Sequence, residues 1–264
     1  MPKIYTFIFF VVFCGFGRDV RPKPVVNSVS DKLYADNFDN VYSVCGASLI
    51  KYDSSGEQKA VFDSPYAEKI TFIDTGDPLK IPVFYENINR IIFLDNKLTV
   101  CANNVNLSDL GIYGKALICR NETGGLWAVD VYESKLFKFD VEFNLLFEKT
   151  LFEISDNIVF VAANTRFLFL RTEKNDVFVF DNNGNFLFKT KQKISFDFQI
   201  CDNLLSYFDV NENAFKEYDF TEDTFFITKF SDKIKFYDAV KSPGYLFLSD
   251  KKQIYSVSIK SMKE

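Results

Sequence analysis

A pair of strand-like runs recurs along this chain with a fixed inner spacing, and that repeat restricts the fold more than any single motif. Gly125-Leu126-Trp127-Ala128-Val129-Asp130 leads to Leu136-Phe137-Lys138-Phe139-Asp140, and Arg166-Phe167-Leu168-Phe169-Leu170-Arg171 leads to Val177-Phe178-Val179-Phe180-Asp181. Leu204-Leu205-Ser206-Tyr207-Phe208-Asp209 leads to Phe215-Lys216-Glu217-Tyr218-Asp219, and in all three copies the two ends lie ten residues apart. Three looser copies follow the pattern: residues 41–43 lead to 49–53, 90–95 to 98–101, and 245–250 to 254–260. With 53, 105, 140, 181, 219 and 260 as anchors, the steps are 52, 35, 41, 38 and 41. A period near 40 to 45 residues with several short strands per unit is the signature of radial repeat architectures, in which each unit is one blade.

Position then assigns the remaining strands. Inner strands are expected at 116–119, 158–162, 197–201 and 234–238, and outer strands at 145–149, 186–189 and 225–229. Short runs of Phe, Tyr, Val and Ile between Asp, Asn and Gly clusters are strand signals, and helical periodicity is hard to find after residue 30. Asn183-Gly184 between two alternating runs predicts a type I′ hairpin, whose two central positions need positive φ. No outer strand follows Ile259, so the last unit lacks an edge, and Val25-Val26-Asn27-Ser28-Val29 is the segment expected to supply it. The fold class is therefore all-β, a six-bladed β-propeller. Five blades with an N-terminal add-on is the alternative, because the first unit is the least regular.

The repeated turn and strand pattern resembles the six-bladed propellers of the NHL and TolB-like kind found in secreted proteins of Bacteroidota, over residues 41–260. That resemblance implies a binding or scaffolding surface and carries no reaction with it.

Export is expected from the N-terminus. Lys3 precedes ten uncharged residues, 4–13, the pattern of a secretory signal and too short to span a bilayer. Residues 1–17 are thus expected to be a signal peptide and 18–264 the propeller domain. Two processing readings stay open. Val11-Val12-Phe13-Cys14 has the position of a lipobox, with lipidation at Cys14, whereas Gly15-Phe16-Gly17 offers small residues for cleavage before Arg18. The expected location is the periplasm or the outer membrane, and the expected partner is an envelope protein.

Composition narrows the chemistry. The 264 residues include 32 Phe and 13 Tyr but no His, which removes the commonest general base and metal ligand. A formal charge of −5 with no long basic run gives no electrostatic footprint for nucleic acid. Cys45, Cys101, Cys119 and Cys201 have no metal-site or redox-motif spacing; in an oxidising compartment they could form two disulfides, but lying in or beside apolar runs they are expected to be buried thiols. Neither a metal site nor a cofactor is expected. Asp181-Asn182-Asn183-Gly184-Asn185 has oxygen donors at alternate positions, but a tight hairpin explains it with fewer assumptions than a calcium loop.

Carboxylates recur at strand ends, at Asp95, Asp130, Asp209 and Asp250 in one series and at Asp53, Asp140, Asp181 and Asp219 in another. A glycan-acting enzyme with two opposed carboxylates is the alternative function. Periodic Asp at strand ends is better explained by side chains that bond the backbone two residues on. The second unit is longer than the others, and the excess is placed between 70–73 and the strand starting at Arg90. Insertions on a rigid scaffold are where binding residues concentrate, so Asp77, Phe84 and Tyr85 are the candidate binding residues and no catalytic residue is assigned. Trp127 is expected between blades, and Arg120 and Arg171 are each expected either to pair with a carboxylate or to line the channel.

Overall fold

A computed structural model describes residues 21–263 of the protein. The expected signal peptide and Cys14 lie outside the described residues. Strand β1 (Lys23–Val26) is followed by blade 1, made of β2 (Lys32–Ala35), β3 (Val41–Cys45), β4 (Ser48–Tyr52) and β5 (Gln58–Asp63). Blade 2 contains β6 (Phe72–Ile73), β7 (Ile81–Tyr85), β8 (Arg90–Leu94) and β9 (Val105–Asn106), and blade 3 contains β10 (Ala116–Arg120), β11 (Leu126–Asp130), β12 (Lys135–Phe139) and β13 (Leu145–Thr150). Blade 4 has β14 (Ile158–Ala163), β15 (Phe167–Thr172), β16 (Val177–Asp181) and β17 (Phe186–Lys189). Blade 5 has β18 (Gln199–Cys201), β19 (Leu204–Asp209), β20 (Ala214–Asp219) and β21 (Thr224–Lys229). Blade 6 has β22 (Asp238–Lys241), β23 (Tyr245–Ser249) and β24 (Ile254–Ser258), and the short helix α1 (Ile259–Lys263) follows.

Six four-stranded antiparallel sheets result, and the chain is a six-bladed β-propeller, not a five-bladed one with an add-on. The ring closes as the missing edge requires. β1 pairs with β24, with Lys23 opposite Ser256, Pro24 opposite Tyr255 and Val26 opposite Ile254. The closing strand starts two residues before the expected segment, since Pro24, which cannot donate to a ladder, is tolerated on this outermost edge. Asn27 onward turns into blade 1 instead. The last inner strand also differs, beginning at Asp238 where 234–238 was expected. Phe236 is buried in the preceding loop against Phe230 at 5.6 Å, and an apolar loop of that kind reads as strand from sequence alone.

Hydrophobic burial drives closure, because each core lies between neighbouring blades. Tyr42, Leu49 and Ile92 pack between blades 1 and 2, Ile91, Ala128 and Phe139 between 2 and 3, and Trp127, Leu168 and Phe180 between 3 and 4. Phe169 and Tyr218 join blades 4 and 5, Phe215 and Leu246 join 5 and 6, and Val26, Val41 and Phe247 join 6 back to 1. Trp127 is fully buried, edge-on to Phe147 at 5.5 Å, as expected.

Turn chemistry explains the periodic Asp residues. Oδ1 of Asp53, Asp95, Asp140 and Asp181 accepts the main-chain N–H groups two and four residues on. The third residue on, Gly56, Leu98, Phe143 or Gly184, takes positive φ of 90, 58, 67 or 74°. Asp95 therefore belongs with this second series. Asp130 and Asp209 bond residues two and three on, in the shorter loops. Within Asn183-Gly184 only Gly184 has positive φ, and its N–H donates to the Asp181 carbonyl at 3.0 Å. The hairpin is thus a type I turn with a left-handed residue after it, in place of the expected type I′.

Candidate functional site

Blade 2 departs from the expectation by one strand. Residues 81–85, read from sequence as part of an insertion, form β7, the second strand of the blade, and all five are buried. Phe84 and Tyr85 are 2% and 0% exposed, and Tyr85 meets Tyr66 edge-on at 5.3 Å. These two candidate residues are core, out of a ligand's reach from either loop face. Pro82 is what hides this strand, since a proline inside an apolar run argues against a central strand. Here the main-chain groups of Pro82 face the end of the very short β6, where its carbonyl accepts the Asp74 N–H at 3.3 Å, so the missing donor costs no ladder bond.

With β7 and β8 in place, the third strands of successive blades end at residues 52, 94, 139, 181, 219 and 258, in steps of 42, 45, 42, 38 and 39. The extra length of blade 2 is divided between two loops on one face. Residues 74–80 join β6 to β7 and residues 95–104 join β8 to β9; they are seven and ten residues long, where the equivalent loops of other blades have two to five. Cys101 ties the two together, donating its N–H to the Phe93 carbonyl at 3.0 Å and lying 3.8 Å from the Leu79 carbonyl through Sγ.

These loops and the facing edge of blade 3 enclose a cleft of about 240 Å³. Asp77, the one sequence-derived candidate that reaches a surface site, lines it together with Lys80, Arg120, Phe93, Phe143 and Leu126. Asp74 and Asp77 are each held in an Asx turn, through Gly76 and Leu79 N–H groups at 2.8 and 2.9 Å, which turns Oδ2 of both toward Arg120. Arg120 lies 3.5 Å from each carboxylate and donates to the Lys80 carbonyl at 3.0 Å. Those ion pairs are longer than good N–H···O bonds, and Nε of Arg120 is buried without a hydrogen bond. Lys80 Nζ sits 4.8 and 5.5 Å from the Phe93 and Phe143 ring centres. Among the described residues it meets no carboxylate and no hydrogen-bond acceptor. Beneath the cleft, Cys119 is buried and its thiol is pushed well above its ordinary value by that burial. The wall opposite is closed by Gly124 and Gly125, and at Gly125 a Cβ would lie 2.2 Å from the Phe139 carbonyl oxygen.

Lys80 was the residue sequence reading missed. Its signal was present, a lone cation closing a Pro-and-Gly turn, but its lack of a partner exists only in three dimensions.

Two other places carry charge. At one mouth of the central channel Lys32 pairs with Asp197, which also accepts from Arg171 at 2.7 Å. Beside them Asp238 accepts the Leu33 and Ala239 N–H groups at 2.6 and 3.0 Å, and burial, opposed by Lys32, pushes its carboxyl up to about 6. Arg120 and Arg171 both pair with carboxylates. A cavity of about 310 Å³ between blades 4 and 5 is lined by Lys193, Phe196, Tyr207, Asp209, Lys216 and Phe225. Lys216 there already donates to Asp209 at 2.8 Å and to Glu212 at 2.6 Å, so this cavity holds no unmatched charge. The thiols differ from expectation. Cys119 is buried, Cys45 is half-buried, and Cys101 and Cys201 are exposed, Cys101 within the 95–104 loop and Cys201 at the end of β18. No helix among the described residues is long and apolar enough to cross a membrane.

Fold and site together define a β-propeller with one elaborated blade. Solved structures similar to it include a streptogramin B lyase, at 13% identity with a TM-score of 0.57, covering 91% of this chain and 94% of that one. A catalytically inactive histidine-to-alanine variant of virginiamycin B lyase from Staphylococcus aureus, solved with quinupristin, is similar at 10% identity and TM-score 0.55, covering 91% and 96%. Raptor from Chaetomium thermophilum is similar at 9% identity and TM-score 0.67, over 90% of this chain and 29% of that chain. No protein-family model matches the chain, and no curated protein matches it. At these identities the likeness is one of fold.

Proposed function

We propose that this propeller is a non-catalytic binding or scaffolding module of the bacterial cell envelope, one that engages a protein partner through the cleft between blades 2 and 3. The observation that carries the reading is the concentration of irregularity in one place. Five blades keep short loops on that face, while blade 2 extends two loops around Lys80, which has no acceptor among the described residues, and an apolar floor. Leu79 and Val100, at 72% and 51% exposure, stand on those loops as an apolar rim. Exposed apolar groups beside polar ones are what a protein contact uses. Resemblance to secreted NHL and TolB-like propellers of Bacteroidota, and the uncharged run after Lys3, support export to the periplasm or outer membrane, with Cys14 as the anchoring residue.

The alternative is a glycan-acting enzyme, and Asp238 is the observation in its favour, since a raised carboxyl is what a general acid needs. Its oxygens are already engaged by main-chain N–H groups of β2 and β22, which is the work of a structural carboxylate. The lyase relative loses activity with one histidine, and this chain contains none.

Photo-crosslinking in intact cells tests the binding reading. A crosslinker at Leu79 is expected to trap one discrete envelope protein, and the same group at Tyr113, on the opposite face, is expected to trap none. Equal capture from both faces, or none from Leu79, would overturn it. Labelled palmitate incorporation, abolished by Cys14→Ser, checks the anchor.

A further inference from the structure

We infer that the cleft recognises a carboxylate borne next to an apolar side chain, with Lys80 as its donor and the Phe93, Phe143 and Leu126 surface as the seat of the side chain. The inference rests on the cleft being the binding site and adds what it binds.

Three observations lead to it. Lys80 offers N–H donors that no acceptor among the described residues takes up, in a half-buried position against two aromatic rings. A protonated amine held there by cation–π contact alone is a stronger partner for an anion than one already paired in solvent. Arg120 serves to fix Lys80 in place, with Nε 3.5 Å from Asp74, Nη1 3.5 Å from Asp77 and Nη2 donating to the Lys80 carbonyl at 3.0 Å. Phe72, Pro82, Ile118 and Val141 complete an apolar floor, while Asp77 and Thr123 are the further polar side chains of the lining. Donors at one side and an apolar floor at the other match a ligand that has a charged head and a hydrophobic body in adjacent positions.

Size and charge sharpen the class. About 240 Å³ lies below the usual range of drug-sized pockets, so it suits one side chain with its carboxylate and excludes a nucleotide. Asp77 stands at the rim, with 43% of its side chain exposed, and Asp74 lies behind Arg120. Asp74 and Asp77 against Arg120 and Lys80 sum to zero, so the cleft is neutral overall, and Lys80, which pairs with neither carboxylate, is the cation left to meet a ligand's single negative charge; a second charge would be repelled. A chain terminus ending in Phe and a free N-acylated amino acid share the required chemistry.

Titration calorimetry with the full chain distinguishes the sources. Acetyl-Ala-Ala-Phe as the free acid is expected to bind at least tenfold more tightly than its C-terminal amide, and Lys80→Met, which keeps the stem over the rings, is expected to erase that difference. N-acetyl-phenylalanine binding as tightly as the tripeptide would assign the site to small acids; tighter tripeptide binding would assign it to chain ends. Either supports a carboxylate site. Equal binding of acid and amide, binding unchanged in Lys80→Met, or no binding of any probe overturns the inference, while crosslinking at Leu79 tests the binding reading separately. Should Lys80→Met melt well below the parent chain, Lys80→Gln serves in its place and must give the same loss.

Discussion

Single side chains set the loops of this ring, and their protonation makes stability depend on pH in opposite directions. The side-chain amide of Asn144, with turn N–H groups after it, holds Asp140 below its ordinary value, and at Asp181 burial, which pushes upward, is outweighed by the Asn185 side chain together with the turn N–H groups. Such carboxylates contribute stability above the usual carboxylate range that is lost as pH falls through their lowered values. Asp238 runs the other way. Its folded value of about 6 lies above 3.8, so the folded state binds the extra proton, and its contribution is full below 3.8 and lost as pH rises through about 6. Asp238→Asn is therefore expected to gain stability over the parent at pH 7 relative to pH 4, measured by urea unfolding at both; an unchanged difference would refute the assignment. Asp181→Ala removes the acceptor of two main-chain N–H groups and should cost about 1–2 kcal/mol. Ser134 is a non-glycine residue at φ 51°. Ser134→Gly should stabilise by about 0.5–1 kcal/mol, seen as a higher melting temperature, because an L-residue pays for left-handed backbone.

Strands of the same sequence type end in different roles according to their neighbours. β13, β17 and β21 are all outer edges and expose Leu146, Leu187 and Phe226 at 53%, 44% and 59%. Each carries a lysine in its last two positions, Lys149, Lys189 and Lys229, the kind of charge that discourages edge-to-edge pairing. β1 is also an edge, yet its Val26 is buried among Val41, Ile254 and Phe247. Val26→Ala should cost about 2 kcal/mol through lost burial and an unfilled space. Deleting residues 21–26 should cost far more, since it uncovers β24, and soluble protein with an unchanged melting temperature would show that β1 does not close the ring. β7 is the element that sequence reading misplaced. Its neighbours 98–101 carry Leu98, Val100 and Cys101, which imitate a strand, while Pro82 disguises the real one.

At the scale of the whole molecule, the six cores lie between blades, so no blade buries its own apolar faces and the ring closes or fails as a unit. The strand pairing of Lys23 with Ser256 brings the two ends of the described chain together on one face. A circular permutant joining α1 to residue 21 and opening between residues 27 and 28 should fold with a melting temperature within a few degrees of the parent, and failure to fold would mean that synthesis order matters. The repeat itself, the strand pairs of the three regular units and the backbone-bonding role of the Asp residues were legible in the sequence, whereas six blades over five was settled by β1 pairing with β24. The legible features follow from period and from side chains acting within five residues of their own backbone. The candidate site was only partly legible. Loop length singled out Asp77, which lines the cleft, whereas Phe84 and Tyr85 turned inward once β7 took its place in the sheet. The cleft itself, with Lys80 lacking a partner and Arg120 between two carboxylates, was decided by tertiary structure alone. It joins residues from two blades, and which charges meet, and which are left over, depends on a packing angle between sheets that no local pattern encodes.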